Sequence, residues 1–420
     1  MTRIRDALVE SNPWWKEDFE TDLHEREIYH QIGKYMDVPQ ILAFTGLRRV
    51  GKTSLMLKIV EDTLKDGFDP KGVIYFSFDE FRETEPAEIL KEYEYLVERD
   101  IKKDRSILLL DEVQKLIDWE DRIKRIYDTH GKRLKIIISG SESLFVKKKS
   151  KESLAGRIFE FRVGPLTFRE FLDFKGVRFE PINIHEKELQ KELDEFTLTL
   201  GFPELVDVKD SNIIKRYITE SVVEKIIYRD IPTIFKIDDP SVLEALLNIL
   251  MEKPGQIIKL ESLANELNLS RQTVSVYLTY LEESFMLRKL YNYSKSRRKV
   301  ERKLKKYYPT IVSPDLLIKD DILSRSMVFE WLIVNQLGAG YFWRDPYKHE
   351  VDIVIADEAV TPVEIKYGKI DMDGIRTFIR KFNIDKGYII TKDMERRLEI
   401  NGKTIYAVPA YKYLLRGPDS

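Results

Sequence analysis

The stretch GLRRVGKTS, residues 46–54, narrows what this chain can fold into more than any other part of it. An apolar run, QILAF (40–44), leads into Gly46 and on to Gly51-Lys52-Thr53, and SLMLKIVEDTLK continues with helical spacing. Strand, glycine loop and helix together are the setting that a G-x-x-x-x-G-K-[ST] phosphate loop requires. Gly46, Leu47, Arg48, Arg49, Val50 and Gly51 would turn backbone N–H groups around a β-phosphate, at the positive end of the helix that Ser54 enters. Lys52 would neutralise β and γ oxygens, and the Thr53 hydroxyl would sit on Mg2+. The rival reading is a glycine turn with a chance lysine.

A second element weakens that rival. SILLLDEVQ (106–114) is an apolar run ending in two acids, the form of a buried parallel strand with working groups at its C-terminal end. Asp111 would hold Mg2+ through its water shell, and Glu112 would polarise the water that attacks a γ-phosphate. Two further strands, GVIYFSFDE (72–80) and LKIIISGSES (134–143), extend the sheet. The latter ends in hydroxyls at Ser139, Ser141 and Ser143, any one of which could sense the γ-phosphate; Ser141 is grouped here with the ATP-binding residues. Arg157 follows in a small-residue segment, with the reach of an arginine finger in its own subunit or in a neighbour's, the latter implying a homo-oligomer. A solvated arginine is the alternative.

Composition removes other classes. The chain has 420 residues, room for about three domains, and no cysteine, which excludes disulfides, thiol catalysis and cysteine-based zinc sites. Five dispersed histidines show no metal-ligand spacing. A net charge of −2 excludes a uniformly basic DNA-coating protein. The cysteine-free, Lys/Glu-rich composition resembles that of hyperthermophile proteins and points to a thermophilic source. No apolar stretch approaches the ~20 residues of a membrane helix, and the N-terminus lacks a signal-peptide core, so a cytoplasmic protein is expected.

From 165 to 235 Phe and Leu recur at helical spacing, which reads as a helical lid. DDPSVLEALLNILMEKPG (238–255) reads as a helix, and LESLANELNLSRQTVSVYLTYLEESFML (260–287) as two helices about a turn at Asn268-Leu269, with Ser270 capping the second. That is a helix-turn-helix layout, with Arg271, Gln272, Thr273 and Ser275 on the face that would enter a major groove. RKLYNYSKSRRKVERKLKKYY (288–308) then holds ten Lys/Arg, among them Lys295, Arg297, Arg298, Lys299 and Arg302, against the single acid Glu301. It reads as strand, basic turn and returning strand: a wing whose cations would displace counterions from DNA phosphates, with Tyr291 and Tyr293 adding stacking. A basic hairpin used for packing ATPase subunits is the plainer reading.

The last hundred residues pose a different chemistry. SRSMVFEWLIVNQL (324–337) is an amphipathic helix carrying Glu330. HEVDIVIA (349–356) and VTPVEIKYG (360–368) read as a hairpin that turns Asp352, Glu364 and Lys366 away from the core, and GIRTFIRKF and KGYIIT complete a small α/β layer. Asp352, Glu364 and the Ile365 carbonyl could hold Mg2+ or Mn2+ through hard oxygen ligands, with Lys366 orienting a water and Glu330 as an outer ligand.

GLRRVGKT, LLLDEVQ, ISGSES, LAGR followed by GPLTFREF, and GFPE (201–204) resemble archaeal and bacterial AAA-class P-loop ATPases. In these an ATPase core is fused to a helical region, a winged helix and a PD-(D/E)XK nuclease-like domain. Members often carry Gly-Gly before Phe-Pro, where Leu200-Gly201 stands here. The resemblance implies an α/β chain: a P-loop ATPase core with a parallel sheet (1–163), a helical lid (164–236), a winged helix-turn-helix (237–312) and a small α/β nuclease-like domain (313–420). Glu330, Asp352, Glu364 and Lys366 match all four positions of the nuclease pattern. The expected function is an ATP-hydrolysing protein that binds DNA and cuts or grips it. The rival is a nucleotide-switched regulatory ATPase with a silent nuclease fold.

Overall fold

The structure is a computed structural model; it describes residues 2–140, 154–296, 298, 300, 304–400 and 402–417. The chain forms two compact units, Met1–Pro165 and Leu166–Ser420.

In the first unit β1 (Ile41–Thr45), β2 (Val73–Ser77), β3 (Ser106–Asp111), β4 (Leu134–Gly140) and β5 (Ile158–Arg162) make one parallel sheet in the order β2-β3-β4-β1-β5. β1, β3 and β4 are buried along their whole length, which is why they read as unbroken apolar runs rather than alternating ones. Helices Lys52–Lys65, Pro86–Val97 and Trp119–His130 cross between the strands. Ile41, Ala43, Ile74, Phe76, Leu108, Leu110, Ile136 and Ile138 of the sheet pack on Ile89, Tyr93, Trp119 and Ile123.

The second unit begins with helices Phe168–Phe174, Glu186–Thr199 and Ser211–Arg216, the last running on as wide π turns through Asp230. Leu200 stands at φ 53°, a left-handed conformation that glycine takes without strain. Its buried side chain offsets that strain by packing. Helices Pro240–Glu252, Leu260–Glu266 and Arg271–Glu283 follow, and the Ser270 hydroxyl accepts from Thr273 N–H as a cap.

Two five-stranded sheets complete this unit. The first orders β10 (Glu350–Val351), β9 (Tyr341–Arg344), β7 (Leu287–Asn292), β8 (Lys305–Pro309) and β6 (Gln256–Ile257) side by side. The second orders β11 (Ile353–Ala356), β12 (Val360–Lys366), β13 (Lys386–Thr391), β15 (Lys403–Pro409) and β14 (Arg396–Ile400). β7 and β8 are the antiparallel pair expected of the basic segment, but β7 also pairs in parallel with β9. The expected 349–368 hairpin is shorter than its sequence suggested. Only Ile353–Ala356 pairs with β12, while Glu350 and Val351 pair with Arg344 and Trp343 in the other sheet. Asp352 is therefore the single residue at which the chain passes from one sheet to the other.

Candidate functional sites

The phosphate loop lies at the C-terminal end of β1. Gly46 has φ 151°, and a Cβ there would stand 2.0 Å from the Val163 carbonyl oxygen; Gly51 has φ 92°. Both positions exclude a side chain, the first by space and the second by backbone conformation. Lys52, almost fully buried, folds its Nζ over the loop and donates to the carbonyls of Gly46 (3.1 Å) and Leu47 (2.7 Å). Arg49 takes the left-handed conformation and Val50 is buried. Helix Lys52–Lys65 begins directly after the loop, so the N–H groups of its first turn face the place where phosphate would sit.

Across the loop, the Thr53 hydroxyl donates to Asp111 Oδ2 at 2.7 Å. Tyr75 OH donates to the same oxygen at 2.9 Å, and Ser139 Oγ donates to Asp111 Oδ1. Asp111 is thus held by three hydroxyls from three elements. Burial, followed by the Asp111 charge, lifts the Tyr75 phenol far above its usual range, so it stays a donor. Thr53 and Asp111, a hydroxyl and a carboxylate side by side at the loop, fit Mg2+ as a hard cation. Bound there, it would neutralise charge on β and γ oxygens. Glu112 follows at φ 56°, its N–H on Ser139 Oγ (3.3 Å) and its Oε2 accepting from Gln114 Nε2 (2.6 Å).

Arg26 gave no signal in the sequence. It is buried, and its guanidinium donates to the carbonyls of Val50 (2.7 Å) and Gly164 (3.0 Å), tying the loop to the strand end beyond β5. Tyr75 was missed too, although it lies two residues before the end of a strand neighbouring Asp111. Ser141 lies outside the described residues.

Arg157 requires a correction. Its carbonyl accepts from Ile41 N–H, where β1 and β5 both begin, and its Nε pairs with Asp128 at 3.0 Å. The phosphate loop is at the other end of β1, about 13 Å along the strand. Arg157 does not serve a phosphate of its own subunit. Arg162, in register with Thr45, is the arginine at the loop end.

In the second unit Arg271, Gln272 and Ser275 are exposed on helix Arg271–Glu283, and Arg271 pairs with Glu261 at 3.1 Å. The Thr273 hydroxyl is taken up with Ser270 in the helix cap (2.8 Å). Lys295 and Arg298 are exposed; Arg297, Lys299 and Arg302 lie outside the described residues. The basic turn is helical at 298 and 300, with Val300 N–H on the Ser296 carbonyl (3.2 Å). Tyr293 is not available for stacking on a base, since it packs among Tyr341, Phe378 and Phe382.

Lys306, read as a wing cation, is the larger surprise. It is 5% exposed, and its Nζ lies 2.5 Å from Glu350 Oε1, 3.4 Å from Glu330 Oε1 and 3.6 Å from Asp352 Oδ1. β8 thereby delivers it into the acid set. Tyr308, on the same face of β8, donates to Glu330 Oε1 at 2.5 Å. The Asp352 Oδ2 accepts from Ile365 N–H (2.9 Å), and Glu364 Oε1 accepts from Lys366 Nζ (2.6 Å). All four residues of the expected quartet therefore meet, joined by Lys306, Tyr308 and Glu350.

The electrostatics of the set follow from burial. Burial and the neighbouring Asp352 charge push the Glu364 carboxyl up to about 8, against the pull of Lys366 and Lys306. Its Oε2 is buried without a hydrogen-bond partner among the described residues, as suits the uncharged form. Burial also raises Glu330, whereas Lys306 is raised despite its burial by Tyr308, Glu330, Asp352 and Glu350. Among the described residues no three Asp, Glu or His side chains are disposed to hold a metal ion. As placed, the set does not fit Mg2+ or Mn2+: its oxygens are turned onto lysines, a tyrosine and a backbone N–H.

The Glu364 shift has a testable consequence. A carboxyl raised from 4.5 to about 8 on folding contributes stability that is fully present below 4.5 and is lost as pH rises through 8. Glu364→Gln should flatten the fall of the unfolding temperature between pH 5 and pH 9. A Gln variant that falls as steeply as the parent would place the titration elsewhere.

Residues 38–172 match a family described as an AAA domain. Residues 190–310 and 325–413 match families described as domains of unknown function, DUF8612 and DUF4143. Together with the phosphate loop and Asp111, the AAA match supports an AAA-type P-loop ATPase domain over residues 38–172, a kind of domain that takes ATP and, typically, Mg2+.

Curated relatives extend the likeness over most of the chain. The uncharacterized protein MJ1637 of Methanocaldococcus jannaschii is 25% identical over 95% of this chain and 89% of its own length. MJ1544 of the same organism is 32% identical over 61% of this chain, and an uncharacterized Haemophilus influenzae protein 24% identical over 64%. The chain spans 57% and 66% of the lengths of those two. Among solved structures, C. elegans PCH-2 aligns over 64% of this chain and 72% of its own at 15% identity and TM-score 0.29. Pif1 helicase from Candida albicans aligns over 36% and 43% at 14% identity and TM-score 0.26. Both scores are too low to bear on the fold. No helix among the described residues is long and apolar enough to cross a membrane.

Proposed function

We propose that this chain is an ATP-dependent DNA-binding protein: the AAA-type domain turns over ATP, and residues 237–312 dock duplex DNA as a winged helix. The observation that carries the DNA reading is the exposed face of Arg271, Gln272 and Ser275 on a capped helix, with exposed Lys295 and Arg298 beyond β7. Side chains at the start of such a helix reach base edges, and cations beyond it meet phosphates. Lys306 takes no part in that attraction, because it is buried.

Two measurements test this. Duplex DNA should raise ATP turnover. The combined Arg271→Ala, Lys295→Ala and Arg298→Ala variant should weaken binding and lower the log–log salt slope by ~2–3, at about 0.9 for each phosphate left without its cation. Turnover indifferent to every DNA and a slope left unchanged would reject DNA as the ligand. The second reading is a nucleotide-switched regulatory ATPase with an inactive nuclease fold, and the lysine inside the acid set favours it on the nuclease point. Its mark is an oligomer size that follows ATP and ceases to do so in Lys52→Ala.

A further inference from the structure

Burying a lysine is costly unless carboxylates surround it, and the cost is recovered only where several converge. Lys306 is placed at such a point. Glu330 comes from helix Ile322–Gln336, Glu350 from β10 and Asp352 from the crossing between sheets, and all three present an oxygen to its Nζ within 3.6 Å. Two of the acids are held by their other oxygen: Arg344 holds Glu350 Oε2 at 3.2 Å and Ile365 N–H holds Asp352 Oδ2, while Tyr308 OH donates to the same Glu330 Oε1 that faces Lys306.

Lys366 covers Glu364 in the same way. Each acid of the set thus already has a cation on it: Lys306 on Glu330, Glu350 and Asp352, Arg344 on Glu350 as well, and Lys366 on Glu364. A metal ion would have to displace those cations to reach the acid oxygens.

We propose that Lys306 is the resident cation of this site. Its ammonium holds the place among Glu330, Glu350 and Asp352 that a divalent metal would need, so the C-terminal layer loads no catalytic metal and cleaves no phosphodiester. The lysine belongs to β8, the strand that returns from the basic segment, and its neighbour Tyr308 fastens the same strand to Glu330. The acids thus serve as a socket for the base of the wing. This inference does not depend on DNA being the ligand, since it concerns only what fills the socket.

The test titrates Mn2+ into the full, nucleotide-free chain and follows the free-ion signal by electron paramagnetic resonance. Wild type and Asp352→Asn should give superimposable isotherms. Lys306→Met, which keeps the length of the side chain and removes its charge, should gain one site per chain at least tenfold tighter than any in wild type. That site should vanish in Lys306→Met/Asp352→Asn. A wild-type site that Asp352→Asn abolishes overturns the proposal outright, and this comparison decides even if Lys306→Met does not fold. A folded Lys306→Met that gains no site overturns it as well.

Discussion

Replacing Lys52 by Ala should slow ATP hydrolysis by ~10²–10³-fold, the size of effect seen when one preorganised donor to a developing charge is removed. Lys52 is buried under the loop and bonded to the carbonyls of Gly46 and Leu47, so its ammonium is already held beside the phosphate position. Glu112→Gln separates chemistry from binding. Glu112 lies next to Asp111, and its carboxylate meets Gln114 and Lys115, so ATP affinity should stay within about threefold while turnover falls ~10²-fold, the lower range for losing a general base. Steady-state turnover and equilibrium nucleotide binding, run on both variants, decide the matter. A Glu112→Gln variant with full turnover would remove Glu112 from the chemistry and leave Asp111 and Lys52 as the working pair.

The second large effect is on stability. Gly374 lies in helix Asp373–Phe382, and a Cβ added there would stand 1.8 Å from the Glu350 carbonyl oxygen. The obstacle is backbone, which cannot swing aside as a side chain can. Ile375, Phe378 and Ile379 of that helix pack on Trp343, Val351 and Ile389, so backing away would open the core. Overpacking of this kind costs ~3 kcal/mol, and in a unit of this size that lowers the melting temperature by roughly 6–12 °C. Gly374→Ala should show that fall in the transition of the C-terminal unit by calorimetry. A melting temperature within about 1 °C of the parent would mean that the helix can leave β10 freely, and that the packing at Glu350 carries little stability.

Much of the first unit was legible because its information is local. The phosphate loop needs glycines at fixed spacing between a strand and a helix, and both Gly46 and Gly51 prove to be positions that refuse a side chain. Asp111 follows directly from an apolar run, and fully buried parallel strands leave that pattern in any sequence. Arg157 was misplaced for the converse reason. Whether a residue lies at the top or the bottom of a sheet depends on the register of β5 against β1, and no local spacing encodes it.

The acid set divides in the same way. Glu364 and Lys366 share a strand face at period two, and Asp352 and Glu330 can be named from their positions on neighbouring elements. By itself, then, the sequence pointed to the phosphate loop and Asp111, to the capped helix with its polar face and to the four candidate nuclease residues, each through spacing along its own element and the order of neighbouring ones. What fills the space among those acids was decided by the tertiary structure alone. Lys306 belongs to a stretch with ten basic residues, where charge alone assigns it to solvent. It is the pairing of β8 with β7, and of β7 with β9, that turns it inward onto Glu330, Glu350 and Asp352. A strand's two faces are fixed by its neighbours, and those neighbours lie far away along the chain.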